Sequence, residues 1–455
     1  MFSFKFIDKE FIKRFAAIAM PVALMNLINF GVKAVDTLML GLIGEIQLSA
    51  SAIANQISMV YMIFIFGVAS GCGVLMAQHW GAGDKERVRD IFAFMYRIAA
   101  IVTILFASIA FFIPQYLMGI ITTDQEVIAE GVIYLRIMSL GYLVWGFTNA
   151  SSVALRSVGI VKIAVVVFSI SLAVSASLNY VLIFGHLGFS PMGIAGAAIG
   201  TVAARFVELI LFLVYILKFE KNFAFRLRNL ISVKAKSISK SFMKHGFPVV
   251  VNEVFWSLGF FILGMVIGRM GREFVAANAI GALMIQFTGM IIFSFASANA
   301  VIVGNIIGEK QYDRAQQIAS GMLGVSLIVG VIGFVFIQII RVPFVNFYEL
   351  SETARIYALQ ITNIISFFVV FMALDSISMM GALRGGGDAK FVMIVDVIFM
   401  WAISIPLGIL TGLVLGWPVW IVFIILRSDS FFKAMAVLWR VSSGKWIKNV
   451  TEDMS

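Results

Sequence analysis

The chain consists of apolar segments of membrane-spanning length that alternate with short polar or basic segments. A helix that crosses the hydrocarbon core of a bilayer needs about 20 mostly apolar residues. With 61% hydrophobic and 13% charged residues, the chain has too little charge to cover a water-facing surface, since soluble domains carry roughly 25% charged residues. The sequence predicts an all-α polytopic protein of the lipid bilayer with twelve spans, at about 14–40, 49–78, 92–113, 130–151, 161–184, 194–217, 246–268, 275–303, 317–339, 356–380, 391–413 and 417–438.

The distribution of Lys and Arg predicts how these spans are oriented. Basic residues are enriched in the cytoplasmic loops of membrane proteins. With a cytoplasmic N-terminus, 24 of the 34 Lys and Arg residues fall in inner segments, and the outer loops hold four, Arg269, Arg272, Arg341 and Arg355. We therefore expect both termini on the cytoplasmic side of a bacterial-type cell membrane. The net charge of +10 then reflects topology, and we expect no binding of nucleic acid.

A basic segment divides the chain into two halves of similar length. We expect an N-lobe of six spans at 1–217, a basic cytoplasmic linker at 218–244, a C-lobe of six spans at 245–440, and a cytoplasmic tail at 441–455. The first residues mix charged and aromatic side chains and lack the apolar run and cleavage site of a signal peptide. They are expected to lead into the first span.

The two halves repeat each other at an offset near 227 residues. Pro21 corresponds to Pro248, and the segment Ala154–Lys162 corresponds to Ala382–Lys390. Because six is an even number of spans, both halves start from the same side of the membrane. Parallel repeats of this kind are typical of carriers that work by alternating access. The repeat therefore favours a secondary transporter over a duplicated bundle without a transport role.

Three acidic residues inside the predicted spans are the main functional candidates. An acidic side chain at the centre of a span costs about 2.5–3.5 kcal/mol on insertion scales. Asp36 lies in the first span, Glu253 in the seventh and Asp375 in the tenth, and the only basic residue one helical turn from any of them is Lys33. Their alternative role is that of a structural carboxyl group, hydrogen-bonded to the backbone or to water.

Three other acidic residues lie in or near spans. Glu208 is three residues from Arg205, a spacing that predicts a local ion pair on one helix face. Asp429 is two residues from Arg427 and therefore off its face, and Asp396 has no obvious partner in the sequence. Their roles stay open at this stage.

A carboxyl group among apolar helices can exchange one cation for another. Burial disfavours the charged form, so such a group can carry a proton near neutral pH, or exchange it for Na⁺ or a cationic substrate. This competition would couple ion entry to substrate exit. Lys33 can act in either of two ways: it can neutralise Asp36, or extend to the interface and leave Asp36 without a counter-ion.

Proline and glycine residues indicate where helices bend or end. Pro21, Pro248 and Pro406 remove helix hydrogen bonds and are hinge candidates, with a static kink as the alternative. The Gly385–Gly387 run is expected to be an exposed turn between two helices. Some of the 43 Phe and 24 Met residues are expected to line an adaptable apolar cavity.

Short motifs occur in one order along the two halves. They are Pro21, Val35-Asp36-Thr37, Gly41 through Gly44, Gln78, Gly81 through Asp84, Arg156 through Gly159, Asn179, Gly196 through Thr201, and Arg384 through Asp388. In this order and over nearly the whole length, the chain resembles the multidrug and toxic compound extrusion (MATE) family. The resemblance implies Na⁺- or H⁺-driven antiport of lipophilic organic cations.

The resemblance also implies roles for individual residues. It would place Asp36, Asn179 and Thr201 in an N-lobe ion site, and Glu253 and Asp375 match the acidic pair of the largely Na⁺-coupled bacterial branch. A Na⁺ ion is therefore expected at Glu253 and Asp375.

Two positions depart from the family pattern. Lys33 stands beside the key aspartate, where it would add to the N-lobe polar site, and Ile183 stands where some relatives carry a second N-lobe acid. These departures favour a proton switch or a substrate site in the N-lobe over a cation cage.

Other functions are weighed against this one. A flippase for a lipid-linked precursor should carry several cationic residues in its cavity, and an exporter of another metabolite is a further alternative. The sequence has no nucleophile–base or metal-ligand constellation of an intramembrane enzyme, no repeated filter-like segment of a channel, and no G-x₄-G-K-[ST] motif for ATP. We therefore expect a monomeric carrier, not an enzyme, that needs no cofactor beyond its coupling ion.

Overall fold

A computed structural model describes residues 8–222, 224–230 and 235–452. Lys5 and Lys234, which contribute to the predicted orientation, lie outside the described residues. So do the parts of the predicted linker and tail at 223, 231–234 and 453–455. Over its described part, the chain is helical and contains no β-strand.

The described residues of the first half form seven helices. They are α1 (Lys9–Gly41), α2 (Glu45–Gly81), α3 (Lys85–Phe112), the short α4 (Pro114–Ile121), α5 (Gln125–Ser157), α6 (Lys162–Phe184) and α7 (Gly193–Phe219). A short 3₁₀ turn at Leu227–Leu230 precedes the second half. The short α4 was not predicted; it begins at Pro114, whose ring suits the first position of a helix.

The second half contains the remaining described helices. They are α8 (Lys236–Arg269), α9 (Arg272–Gly308), α10 (Tyr312–Asn346), α11 (Glu352–Leu383), α12 (Ala389–Val414), α13 (Val419–Arg427) and α14 (Asp429–Ser442). Three of them contain π-helical turns: α8 at Phe242–Gly246, α11 at Ile377–Leu383, and α12 at both Ile398–Ser404 and Leu410–Val414.

Eleven of the described helices are long and apolar enough to cross a membrane. The predicted twelfth span is formed by α13 and α14, which meet at Ser428. There the Ser428 hydroxyl donates a hydrogen bond to the carbonyl of Ile425 (2.8 Å), and the backbone N–H of Asp429 donates to Ser404 Oγ on α12 (3.1 Å). The break therefore has a physical cause, because a side chain of another helix takes a backbone hydrogen bond at this point.

The described chain divides into two compact units. The first unit contains Leu24–Met76 and Asp84–Phe242; the second contains Ala77–Gly83, the chain from Met243 onward and the described residues up to Ala23. The first unit has an apolar core around the fully buried Tyr61. The Tyr61 hydroxyl donates to the carbonyl of Tyr142 (2.7 Å) and is 3.1 Å from Thr103 Oγ1. The predicted lobe boundaries remain a prediction.

The turn at Gly385–Gly387 is buried, so the prediction of an exposed turn is wrong. Residues 443–452, which we call the C-terminal strap, cover it. The fully buried Trp446 packs so closely that a Cβ atom added to Gly386 would lie 2.4 Å from its ring. Gly387 has φ +83°, a conformation that favours glycine. The glycines thus make room for the strap.

Hydrogen bonds fix the strap to the second unit. The Gln78 side chain accepts from Val450 N (2.8 Å) and donates to the carbonyls of Gly385 (2.9 Å) and Lys448 (3.2 Å). Trp446 Nε1 donates to Gln316 Oε1 on α10 (2.8 Å). The described part of the predicted tail is therefore a folded segment of the second unit.

Candidate functional site

Three of the predicted residues meet in the first unit, each from a different helix. Asp36 lies near the end of α1, and Asn179 Nδ2 on α6 donates to Asp36 Oδ1 at 2.6 Å. Thr201 Oγ1 on α7 donates to Asp36 Oδ2 at 3.4 Å. Both carboxylate oxygens of Asp36 thus accept a side-chain hydrogen bond. The side-chain oxygen of Asn179 is buried and accepts no hydrogen bond from the described residues.

Small residues let α6 and α7 approach each other beside Asp36. A Cβ atom added to Gly200 would lie 2.1 Å from Asn179 Oδ1, and one added to Gly196 would lie 2.7 Å from the Leu182 backbone. Glycines four residues apart form the pattern that allows close packing of membrane helices. The Gly196–Thr201 motif therefore positions the hydroxyl of Thr201 at the carboxylate of Asp36.

Arg205 supplies positive charge near this site. It lies one turn beyond Thr201 on α7 and interacts electrostatically with Asp36. Its guanidinium group forms the predicted ion pair with Glu208, at 2.9 and 3.1 Å, which confirms that prediction. Ser171 Oγ on α6 also donates to Glu208, at 2.5 Å. The i+4 spacing from Thr201 was the sequence signal that could have linked Arg205 to Asp36.

Lys33 and Ile183 mark the two departures from the family pattern. The side chain of Lys33 is exposed, and within the described residues it forms no ion pair with Asp36. Of the two roles considered for Lys33, the structure therefore agrees with a side chain that leaves Asp36 without a direct counter-ion. Ile183 is buried in the apolar core of the first unit, which leaves no carboxylate at that position.

In the second unit, Glu253 is paired with a buried arginine. Arg384 Nη1, at the end of α11, donates to Glu253 Oε1 on α8 at 2.6 Å. The predicted ligands Glu253 and Asp375 are joined by no hydrogen bond or ion pair among the described residues. The described residues also contain no group of three or more His, Cys, Asp or Glu side chains that could hold a metal ion.

Asp375 lies among other charged groups of the second unit. It precedes the π-helical turn of α11 and accepts a hydrogen bond from its neighbour Ser376 (2.7 Å). It interacts electrostatically with Asp396 on α12 and with Asp429 and Lys433 on α14. We call these four residues, Asp375, Asp396, Asp429 and Lys433, the charged cluster.

The partners left open for Asp396 and Asp429 are now identified. Lys433 forms ion pairs with both, through Asp396 Oδ1 and through Asp429 Oδ2 at 2.7 Å. Lys433 was missed, although its i+4 spacing from Asp429 is a sequence signal for a helical ion pair. The guanidinium group of Arg427 lies instead over the rings of Phe260 (5.2 Å) and Phe423 (5.6 Å).

The three hinge candidates lie at different kinds of position. Pro21 is inside α1, and Pro248 lies two residues after the end of the π-helical turn of α8. Pro406 lies between the two π-helical turns of α12, where it removes one backbone donor. The local geometry at Pro248 and Pro406 is therefore irregular, and a hinge role stays a prediction.

Known proteins resemble this chain over almost its whole length. It is 28% identical to "Probable multidrug resistance protein NorM" of Thermotoga maritima, over 97% of this chain and 94% of that protein. It is 25% identical to the NorM protein of Bacillus cereus, over 89% of each chain. The crystal structure of MATE in complex with MaL6 has the same fold, with a TM-score of 0.85 at 16% identity, over 95% of this chain and 97% of that one.

The family comparison also confirms the internal repeat. The sequence model of the MatE family matches the chain twice, over residues 21–181 and 248–410. The two matches begin at Pro21 and Pro248, the pair from which the repeat was inferred. With the fold match, they confirm the predicted all-α membrane fold of two six-helix lobes. The chain therefore belongs to the MatE family of membrane transporters.

Proposed function

We propose that this protein exports lipophilic organic cations in exchange for Na⁺ or H⁺, by alternating access. The observation that carries the proposal is the distribution of unpaired charge. Glu208, Glu253, Asp396 and Asp429 each have a basic partner. Asp36 and Asp375 have no ion pair with any described residue, and both lie in helices of membrane-spanning length. Unpaired carboxylates among apolar helices attract a mobile cation.

The arrangement at Asp36 supports a role in cation exchange. Asn179 and Thr201 donate hydrogen bonds to the carboxylate and so favour its charged form, whereas the apolar surroundings favour its neutral form. A carboxyl group held between these opposing effects can release a proton to one side and accept a cation from the other. A coupling ion and a cationic drug would then occupy the site in turn.

The pairing of three basic residues inside the two units argues against a flippase for an anionic lipid. Arg205, Arg384 and Lys433 are each engaged by one or two carboxylates of the same unit. An anionic headgroup would therefore have to compete with these carboxylates for the three basic groups. The relatives named multidrug resistance proteins also support drug export.

The remaining parts of the proposal follow from the sequence. Without an ATP motif, the energy must come from an ion gradient, which is worth about 2.3 kcal/mol per elementary charge per 100 mV. We propose that the protein is a monomer of the cell membrane with both termini in the cytoplasm. Its lobes would be residues 1–217 and 245–440, joined by the linker at 218–244.

Dye efflux from energised cells tests the proposal. Cells that express the wild type should export ethidium faster than cells without it, whereas Asp36→Asn and Asp375→Asn should export it at least about tenfold more slowly. Each of these variants removes a charge that an ion or substrate must neutralise. If the coupling ion is Na⁺, adding Na⁺ should accelerate efflux by the wild type, and Asp375→Asn should abolish that acceleration.

A matched carboxylate serves as the control. Glu273 at the start of α9 pairs with the exposed Arg272 (2.9 Å), so Glu273→Gln should export ethidium as the wild type does. The proposal is wrong if Asp36→Asn and Asp375→Asn, present in the membrane at wild-type amounts, export ethidium at the wild-type rate.

A further inference from the structure

Lys433 is a buried cation shared by two carboxylates of the second unit. It is only 4% exposed and pairs with Asp396 on α12 and with Asp429 on its own helix, α14. An isolated ammonium group would be very costly to bury, so the two ion pairs are what keep Lys433 charged at this position. The arrangement also joins α12 to α14 at a defined point.

The packing of three helices places Asp375 within the field of Lys433. Helix α14 packs against both α11 and α12. Asp375 on α11 interacts electrostatically with Lys433. Asp375 has a hydrogen bond from Ser376 but forms no ion pair within the part of the chain that the structure describes. Lys433 therefore acts on Asp375 through its charge but leaves the carboxylate of Asp375 available to another cation.

The charged cluster does not balance its own charge. It contains three carboxylates, Asp375, Asp396 and Asp429, and one ammonium group, Lys433. Arg427 also interacts electrostatically with Asp429, but its guanidinium group is stacked against aromatic rings. Asp375 is thus the carboxylate of the cluster that remains available to an external cation. Its electrostatic field is set by one positive neighbour, Lys433, and two negative neighbours, Asp396 and Asp429.

We propose that Lys433 is a positioning residue that sets the affinity of Asp375 for the coupling cation. Its positive charge weakens cation binding at Asp375, so that the cation can leave again during each transport cycle. The two carboxylates that hold Lys433 limit this effect, because their negative charge acts in the opposite direction. This inference rests on the proposed function, in which Asp375 binds the coupling ion.

Charge-changing variants test the proposal through equilibrium binding. Full-length protein in lipid nanodiscs would be titrated with radioactive Na⁺ at fixed pH, and proton uptake would be followed in the absence of Na⁺. With the other groups charged, Lys433→Gln makes the cluster more negative and should lower the half-saturating cation concentration by about tenfold. Asp396→Asn makes the cluster less negative and should raise it by a similar factor.

The double variant separates charge from structure. Lys433→Gln combined with Asp396→Asn removes one charge of each sign, so its half-saturating concentration should return close to the wild-type value. Lys433→Arg, which keeps the charge, should also stay close to the wild type. A purely structural role for Lys433 would instead impair binding in both single variants, and the double variant would not restore it.

Subtracting the signal of Asp375→Asn isolates binding at Asp375. The proposal is overturned if the two single variants shift the half-saturating concentration in the same direction or not at all. It is also overturned if neither cation shows binding that depends on Asp375. This binding assay needs no drug, so it can succeed even if the protein exports no ethidium. That combination of results would count against the proposed substrate but would still support the role of Lys433.

Discussion

The two hydrogen bonds to Asp36 differ in length, and their loss should differ in effect. Asn179 donates at 2.6 Å and Thr201 at 3.4 Å. Short hydrogen bonds to a carboxylate are roughly twice as strong as neutral ones, and they weaken as they lengthen. We expect Asn179→Ala to reduce the rate of ethidium efflux at least about tenfold and Thr201→Ala to reduce it less than about threefold. Equal losses in initial-rate efflux assays, at matched protein levels, would contradict this ranking.

The buried pair of Glu253 and Arg384 should show strong coupling in stability. Removing one member leaves the other charged and buried, which costs about 3–5 kcal/mol. Glu253→Gln and Arg384→Met should therefore each lower the unfolding temperature of the purified protein, whereas the double variant should lose less than the sum of the two. Thermal unfolding followed by size-exclusion chromatography gives the double-mutant cycle. Additive losses would show that the pair contributes no coupling energy.

Single residues were easier to recognise as functional candidates than to pair. Asp36, Glu253 and Asp375 are visible in the sequence because a charge inside an apolar segment is rare. Their partners are not visible, since Arg384 is 131 residues from Glu253 and nothing in the spacing joins them. The same holds for Asp396 and Lys433, which lie on different helices. Two ion pairs carried a sequence signal, because their members lie one turn apart on one helix: Arg205 with Glu208, and Asp429 with Lys433.

At the scale of helices, the contact between α6 and α7 should tolerate no side chain at Gly200. Its added Cβ atom would lie 2.1 Å from Asn179 Oδ1, so Gly200→Ala must displace the amide that donates to Asp36. We expect Gly200→Ala to lose ethidium efflux and to be destabilised by about 1–3 kcal/mol. Gly264→Ala on α8 is the matched control, because nothing lies within 4 Å of its added Cβ atom. Efflux by Gly200→Ala at the rate of Gly264→Ala would refute the argument.

The C-terminal strap should contribute measurably to the stability of the second unit. Trp446 is fully buried, whereas Trp439, seven residues earlier, is 60% exposed. Replacing a buried Trp by Ala typically costs about 3–5 kcal/mol. We therefore expect Trp446→Ala to lower the unfolding temperature clearly and Trp439→Ala to change it little. A comparable decrease in both variants, measured on purified protein, would mean that the strap does not anchor the fold.

The sequence was informative about the helices because one property, an apolar run, decides where a chain can cross a bilayer. The span predicted at 161–184, for example, is observed as Lys162–Phe184. Features that depend on contacts between distant segments were not predictable in this way. The break at Ser428 depends on Ser404 from another helix. The strap depends on Gln78, which is 372 residues away from Val450 in the sequence. Hydropathy carries no information about such pairs.

For the molecule as a whole, the distribution of basic residues predicts that both termini and the linker face the cytoplasm. The chain has a single cysteine, Cys72, and it is fully buried, so Cys72→Ala gives a background in which new cysteines can be labelled separately. In that background, Lys236→Cys tests the linker, and Arg272→Cys tests the predicted outer loop, since both residues are exposed.

A membrane-impermeant maleimide distinguishes the two sides of the membrane. In intact cells, Arg272→Cys should react, and Lys236→Cys should react only after the membrane is opened. The protein keeps this orientation because transfer of the basic linker across the bilayer would bring many Lys and Arg side chains into contact with the hydrocarbon core. The opposite labelling pattern would show that the chain has the inverse topology, with both termini and the linker outside the cell. Because the ion gradient sets the direction of exchange, an inverted antiporter would still export its substrate, so this labelling tests the orientation of the chain independently of the proposed function.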